Sequence, residues 1–293
     1  MTVGAEIKKQ NKFAKILSGF WDEVLYGGYL IALNNALILL IAIVISGSFA
    51  VVYSLLLISF LIVVITYKFN HLKELETDLL SNPERSAFVK KHKYRELVLI
   101  CIFTFILLIN SYLINIPMLI IASMLLAVGI YYPKHLTRKI IGFKDYYVSL
   151  SWSFIIFLPY LVNTNSNSIY IFAFLYVFVF IKSFINIVFS DFKDVDEDRR
   201  DGLMTFPVVM GNKKTVKLLK LLNILSILPI LLGIAIGVLP VYVILLIFTL
   251  IYTNIYLNID PNEKENLRKK SYTLVDSEAV VWLLTIIIGR LLL

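Results

Sequence analysis

The sequence predicts an all-α integral membrane protein with nine transmembrane helices and a cytoplasmic N-terminus, and three observations carry that prediction. The 293 residues are 59% hydrophobic and only 16% charged, with a mean hydropathy of +0.83, which no ordinary soluble domain reaches. Apolar runs of about 18 residues or more recur along the chain, each long enough to cross a bilayer. Apart from Lys182 and Arg290, every Lys and Arg falls in one of the segments 1–26, 68–95, 134–144, 191–220 and 264–270. The connections around Ser46–Ser48, Ile114–Pro117, Asn163–Ser168 and Gly237–Pro240 carry none. Positive charge is retained on the cytoplasmic side, so this alternation counts the crossings and places the N-terminus inside and the C-terminus outside.

The expected spans are 27–46, 49–68, 96–113, 116–133, 145–163, 168–190, 217–236, 239–258 and 274–292. Each is about 18–22 residues, matching a hydrocarbon core of about 30 Å at about 1.5 Å per residue. The runs are continuously apolar rather than alternating, which favours helices over a barrel. The first 26 residues are polar and mixed in charge, without the short apolar core of a cleavable signal; the first helix is expected to serve as the insertion signal. Cys101 stands alone in the third span, so no disulfide framework or cysteine metal site is expected, and it reads as a small apolar filler. The net charge of +8 is accounted for by topology. A nucleic-acid partner would need a basic face on a soluble domain, and the chain has none.

Outer connections are about two to six residues and inner ones reach about 27, and long charged loops are where sites live. The site is therefore expected on the cytoplasmic face. The two longest loops follow the second and sixth spans, and each begins with polar and acidic residues at helical spacing: Asn70, His71, Glu74 and Asp78, then Asp191, Asp194 and Asp198. On a continuous helix, Asp191, Asp194 and Asp198 would fall within about 60° of one another, and Asn70, Glu74 and Asp78 within about 80°. Stacked acids repel unless a cation lies between them. Mg²⁺ prefers carboxylate oxygens and shares its remaining positions with substrate phosphates. Two such stripes facing each other would hold a diphosphate through bridging metals.

A single acidic run beside a membrane is more often a solvated helix end. Two runs at matching places, roughly 120 residues apart, instead suggest a duplicated four-helix unit. The chain then reads as one membrane domain: a first half at 27–133, a second at 145–258, and a ninth helix at 274–292.

Asn70-x-x-x-Glu74-x-x-x-Asp78 resembles the first signature of the UbiA superfamily of intramembrane prenyltransferases, with Pro83 and Arg85 where that signature continues. Asp191, Asp194 and Asp198 match the family's second signature in full, and the likeness runs on through Asp201, Gly202, Thr205, Pro207 and Gly211. Residues 131–147, YYPKHLTRKIIGFKDYY, resemble the family's loop after its fourth helix. The resemblance implies helices around a central lipid-accessible cavity, a polyprenyl diphosphate donor bound with Mg²⁺ at the cytoplasmic end, and a lipophilic or aromatic acceptor taken from the bilayer. It assigns Asp78, Asp191, Asp194 and Asp198 to Mg²⁺, supported by Glu74, with Asn70 orienting a phosphate or a metal-bound water. Arg85, Arg138, Lys139 and Lys144 are candidates for the diphosphate oxygens, the alternative for each being the positive-inside bias itself. Two positions depart from the family pattern: Glu74 stands where Asp is usual, and His71 where many members have Asp. As a cation, His71 would hydrogen-bond a phosphate directly.

Lys182 lies inside the sixth span, where a charge is costly and usually functional; its alternative role is as partner to a carboxylate such as Glu278. Asn34 and Asn35 in the first span and Asn186 in the sixth are candidates for acceptor contact, with packing hydrogen bonds as the alternative. His92 and His135 read as exposed loop histidines. Asp276 and Glu278 either line the cavity or are a solvated helix start. Two rival activities remain at this point. One is a terpene cyclase on the same scaffold, needing the donor alone. The other is a transporter or non-catalytic lipid-binding protein, which predicts interrupted helices in matching spans; Pro159 and Pro229 interrupt the fifth and seventh spans, which do not match.

Overall fold

The computed structural model describes residues 17–76, 82–131, 134–162, 168–261 and 263–293. All regular structure among these residues is helical. After a helical stretch at 17–26, the first half comprises α1 (Tyr29–Ser46), α2 (Val52–Lys73), α3 (Pro83–Lys91), α4 (Lys93–Ile114) and α5 (Ile116–Ile130). A turn at Lys134–Thr137 leads to α6 (Phe143–Ser153), which tightens into a 3₁₀ helix at Phe154–Leu161. The chain continues through α7 (Ser168–Asp191), α8 (Val195–Arg200), a short Phe206–Met210 helix, α9 (Asn212–Leu225) and α10 (Leu228–Ala235). A 3₁₀ stretch, Val241–Phe248, runs into α11 (Thr249–Leu257), followed by α12 (Lys264–Lys270), a π turn at Ser271–Val275 and α13 (Glu278–Leu292).

Among the described residues, five helical segments are long and apolar enough to cross a membrane: Tyr29–Ser46, Val52–Lys73, Lys93–Ile114, Ile169–Asp191 and Asn212–Ala235. The remaining expected spans correspond to shorter or composite helices, and Asn212–Ala235 is itself broken by a turn at Ser226–Ile227. Proline accounts for two of the changes, because it removes a backbone donor and clashes with the preceding turn. Pro159 sits within the 3₁₀ segment, and Pro229 begins a fresh helix in the first turn of α10. α4 is strongly apolar yet only 11% of its apolar window is buried, with Val98, Ile102, Phe105 and Leu113 exposed, as expected of a helix that faces lipid.

α1 holds the two halves together. Leu39 and Ile43 join α2, α4 and α5 in one apolar cluster, containing Leu55, Ile58, Leu107 and Met118. Ile38, Ile41 and Ile45 project into a second, with Phe172, Phe178, Val243 and Trp282. A third cluster, with Phe189, Phe192, Leu219 and Tyr256, underlies the polar end of the second half. Burying apolar surface on both sides of α1 fixes α2 and α7 on one cavity wall each, and these helices carry the two signature sets.

Candidate active site

Neither signature lies on one continuous helix. α2 ends at Lys73 and Glu74 is its C-cap. Asp191 ends α7, the chain turns, and Asp194 caps α8, in whose first turn Asp198 sits. The expected single-helix stripes are corrected accordingly, since the second set is gathered by a turn between two helices. Asp198 then accepts a hydrogen bond from Thr205 at 3.1 Å, which explains why a threonine follows the acids at this spacing.

The two sets nevertheless line one cavity of about 300 Å³. Asn70, His71 and Glu74 come from α2, while Asp191, Asp194 and Asp198 come from α7 and α8, joined by Glu197 and Asp201. Asp78 lies outside the described residues. Basic groups from five elements share the space: Lys73 of α2, Arg85 of α3, Arg138 before α6, Lys144 of α6 and Lys193 of the turn. Lys144 Nζ lies 2.8 Å from Asp191 Oδ1, and Lys193 Nζ lies 2.9 Å from Asp194 Oδ2. Asn82 links three segments at this end of the molecule, donating to Asp194 Oδ1 at 3.4 Å and accepting from Tyr272 at 2.5 Å.

Lys144 owes its place to Gly142. This residue caps α6 with φ +65°, and a Cβ there would meet the Phe206 ring at 2.1 Å. Its N–H donates to Met204 at 2.7 Å, and Met204 N–H donates to Thr137 at 3.0 Å. The segment before α6 is thereby tied to the segment after α8, which brings Lys144 to Asp191.

The electrostatics favour a bound cation. Burial and the neighbouring Asp191 and Asp194 outweigh Lys144 and push Asp198 up to about 7. Asp194 is the opposite: burial would raise it, but Lys193, Lys144 and Arg85 hold it below the usual carboxylate range. Asp191 Oδ2 is buried without a hydrogen-bond partner, as are both carboxyl oxygens of the fully buried Asp145 beside it. Carboxyls in this arrangement need a proton or a cation between them. No three acidic or histidine side chains among the described residues close on one metal position.

The family model of the UbiA prenyltransferases matches residues 35–275. The chain belongs to the UbiA prenyltransferase family. It is similar in fold to an apo UbiA homolog from Aeropyrum pernix K1, with TM-score 0.69, 12% identity, and coverage of 89% of this chain and 98% of that one. A UbiA homolog from Archaeoglobus fulgidus bound to DMAPP and Mg²⁺ gives TM-score 0.59 at 13% identity over 93% of this chain and 99% of that one. A structure described for digeranylgeranylglyceryl phosphate synthase gives 0.59 at 18% over 93% and 100%. No curated protein matches.

Within this UbiA chain, several expected site residues stand away from the cavity. Lys139 is exposed and outside its lining, and Lys182 is fully buried behind it. Lys182 Nζ is 3.3 Å from Glu278 Oε1 and donates to Asn223 and Thr253, so it is the partner of a carboxylate and does not line the cavity. Asn34 also lies outside, accepting the Ala279 N–H at 2.7 Å, and Asn35 accepts from Ser59 at 3.1 Å; both are packing contacts. Asn186 and Asp276 do line the cavity, and Glu278 does not. His71 is 6% exposed and packs edge-on to Tyr67. His92 is half-buried against Phe88 rather than exposed. Sequence reasoning missed Lys193, Asp145 and Tyr256. Lys193 sits in the second signature itself and was hidden among the other basic loop residues, while Asp145 adjoins Lys144 in the loop motif.

Proposed function

We propose that the protein transfers a polyprenyl group from its diphosphate to a lipophilic or aromatic acceptor within the bilayer, with Mg²⁺, at a site that opens to the cytoplasm. The carrying observation is that the two signature sets, from opposite halves of the chain, line one cavity together with Arg85, Arg138, Lys144 and Lys193. Asp191, Asp194 and Asp198, with Asp78, are the residues to hold the metal, and Glu74 supports them. Bound Mg²⁺ would supply charge neutralisation of the departing diphosphate.

The chain's own groups do the rest. Arg85 and Arg138 suit bidentate contact with phosphate oxygens, and Lys144 and Lys193 act as point charges on the same group. Asn70 offers an amide that both donates and accepts. Tyr67, Tyr147 and Trp152 line the adjoining wall, and their faces stabilise positive charge developing at the allylic carbon. The enclosing apolar helices keep water from that carbon. The nine-crossing topology with a cytoplasmic N-terminus belongs to this reading, supported by the distribution of Lys and Arg.

The test is to incubate purified protein with geranyl, farnesyl and geranylgeranyl diphosphates and Mg²⁺, with and without a lipid and aromatic-acceptor extract, and to follow diphosphate release and products. Acceptor-dependent release is expected. Release without acceptor, giving a cyclic hydrocarbon, would assign a terpene cyclase instead. Mg²⁺-dependent donor binding with no turnover under any condition would point to a lipid-binding protein.

A further inference from the structure

Away from the acids, the cavity wall carries polar groups that the diphosphate site does not use. Ser183 and Asn186 precede Asp191 by eight and five residues on α7, about 12 and 8 Å along the helix axis. Thr66 lies one turn before Asn70 on the facing α2. Thr66 is 6% exposed, and its Oγ1 is buried without a hydrogen-bond partner. Gly129 of α5 makes room for that hydroxyl, since a Cβ there would meet Oγ1 at 2.5 Å. Asn186 Oδ1 is taken by the Tyr256 hydroxyl at 2.6 Å, which leaves its Nδ2 donors for the cavity.

Polar groups at this depth are costly when unpaired, because lipid offers them nothing. The hydrocarbon chain of a prenyl donor offers nothing either. We propose that Ser183 and Asn186 form the subsite that holds the oxygen of the acceptor, facing Thr66 across the cavity, and that Tyr256, Glu278 and Lys182 position Asn186 from behind. This rests on the transferase reading above. A hydroxyl is the group that matches: it accepts from Asn186 Nδ2 and gives its one proton to Ser183 Oγ.

The positioning chain is continuous. Tyr256, fully buried, gives its one hydroxyl proton to Asn186 Oδ1 at 2.6 Å, and Glu278 Oε2, 3.1 Å from the same oxygen, is the competing acceptor. Glu278 Oε1 accepts from Thr253 at 2.7 Å and pairs with Lys182 at 3.3 Å. Lys182 is held in turn by Asn223 at 3.0 Å and the Thr249 carbonyl at 3.4 Å. Four helices, α7, α9, α11 and α13, thus fix one amide on the cavity wall. A buried ion pair carries a desolvation penalty and is weak evidence for stability by itself; its use here is to hold the Tyr256 hydroxyl in place.

The experiment uses geranylgeranyl diphosphate and Mg²⁺, with a total polar-lipid extract as acceptor source, titrated in turn against wild type, Asn186→Leu, Tyr256→Phe and Ser183→Ala. A parallel arm uses the same extract with its hydroxyls acetylated. Asn186→Leu is expected to raise the extract concentration at half-maximal rate at least tenfold while changing the donor KM less than twofold. Tyr256→Phe and Ser183→Ala are expected to follow at three- to tenfold, and acetylation to abolish turnover. If Asn186→Leu does not fold, judged by loss of Mg²⁺-dependent donor binding, the other two variants decide. Donor KM rising in parallel, an unchanged response to extract in the variants that fold, or turnover surviving acetylation overturns the subsite. A wild-type protein that releases diphosphate without any acceptor overturns the transferase reading first, and the subsite with it.

Discussion

The two signature walls solve the same problem with different chemistry. On α7 and α8, acids predominate and each signature acid has one polar partner: Lys144 meets Asp191 Oδ1, Lys193 and Asn82 meet Asp194, and Thr205 meets Asp198. On α2, Asn70 and His71 are uncharged or weakly basic groups, and Glu74 is the described acid, half-buried at the helix end. On the function proposed above, the second wall would hold the cations and the first would orient what they carry. This asymmetry accommodates the departures at His71 and Glu74: they fall on the wall that contributes less charge, while the wall that must neutralise diphosphate keeps all three acids.

The largest effect that would follow from this difference is at Asp194. Asp194→Ala should lower kcat/KM by about a thousandfold or more, because it removes a carboxylate that would hold the Mg²⁺ neutralising the leaving group; a loss under tenfold would remove the distinction between the walls. Lys144→Ala is next, at roughly a hundredfold, the scale of losing one electrostatic contact to a departing oxyanion. Its signature should be a rise in donor KM together with a fall in kcat, read by steady-state diphosphate release. On the other wall, Glu74→Gln should cost about tenfold, at the lower end of the effect of a group that supports a metal's first ligands. Glu74→Asp should stay within a few-fold of wild type, and a large gain would mean that the longer side chain weakens catalysis.

The smallest expected effect on activity comes from a buried pair outside the cavity. Lys68 Nζ lies 2.5 Å from Glu96 Oε2 and over the Tyr29 ring, and Arg95 links Glu96 to Glu23 near the surface. Lys68→Met should destabilise the protein by about 1–3 kcal/mol, since Glu96 Oε2 loses its buried partner while Oε1 keeps Arg95, yet leave donor KM within about twofold once folded. Thermal unfolding measured beside kinetics separates the two. A large rise in donor KM would place Lys68 among the groups that serve the diphosphate.

Much of this architecture is legible in the chain because it depends on local pattern. Apolar length and the placement of Lys and Arg mark the spans, and residue spacing marks both signatures. What escapes is set by contacts distant in sequence. Lys68 counts as loop charge from the sequence, and only its packing against Glu96 and Tyr29 reveals a buried pair. Tyr256 is seventy residues from Asn186, and nothing in its neighbourhood distinguishes it from other tyrosines. The turn that breaks α7 at Asp191 is equally hidden, because the same spacing would suit an uninterrupted helix. Lys182 is the instructive case: its position announces an important charge, and only the placement of Glu278 shows that the charge faces away from the cavity.

The central claim is that the two walls bind the donor's diphosphate together through Mg²⁺. The direct measurement is calorimetric binding of a thio-linked geranylgeranyl diphosphate analogue, whose leaving group resists ionisation, to wild type and Asp194→Ala, each with Mg²⁺ and with EDTA. Wild-type affinity should fall at least about tenfold in EDTA, or about 1.4 kcal/mol, and Asp194→Ala should bind weakly in both conditions. Equal, tight binding in all four combinations would contradict the account.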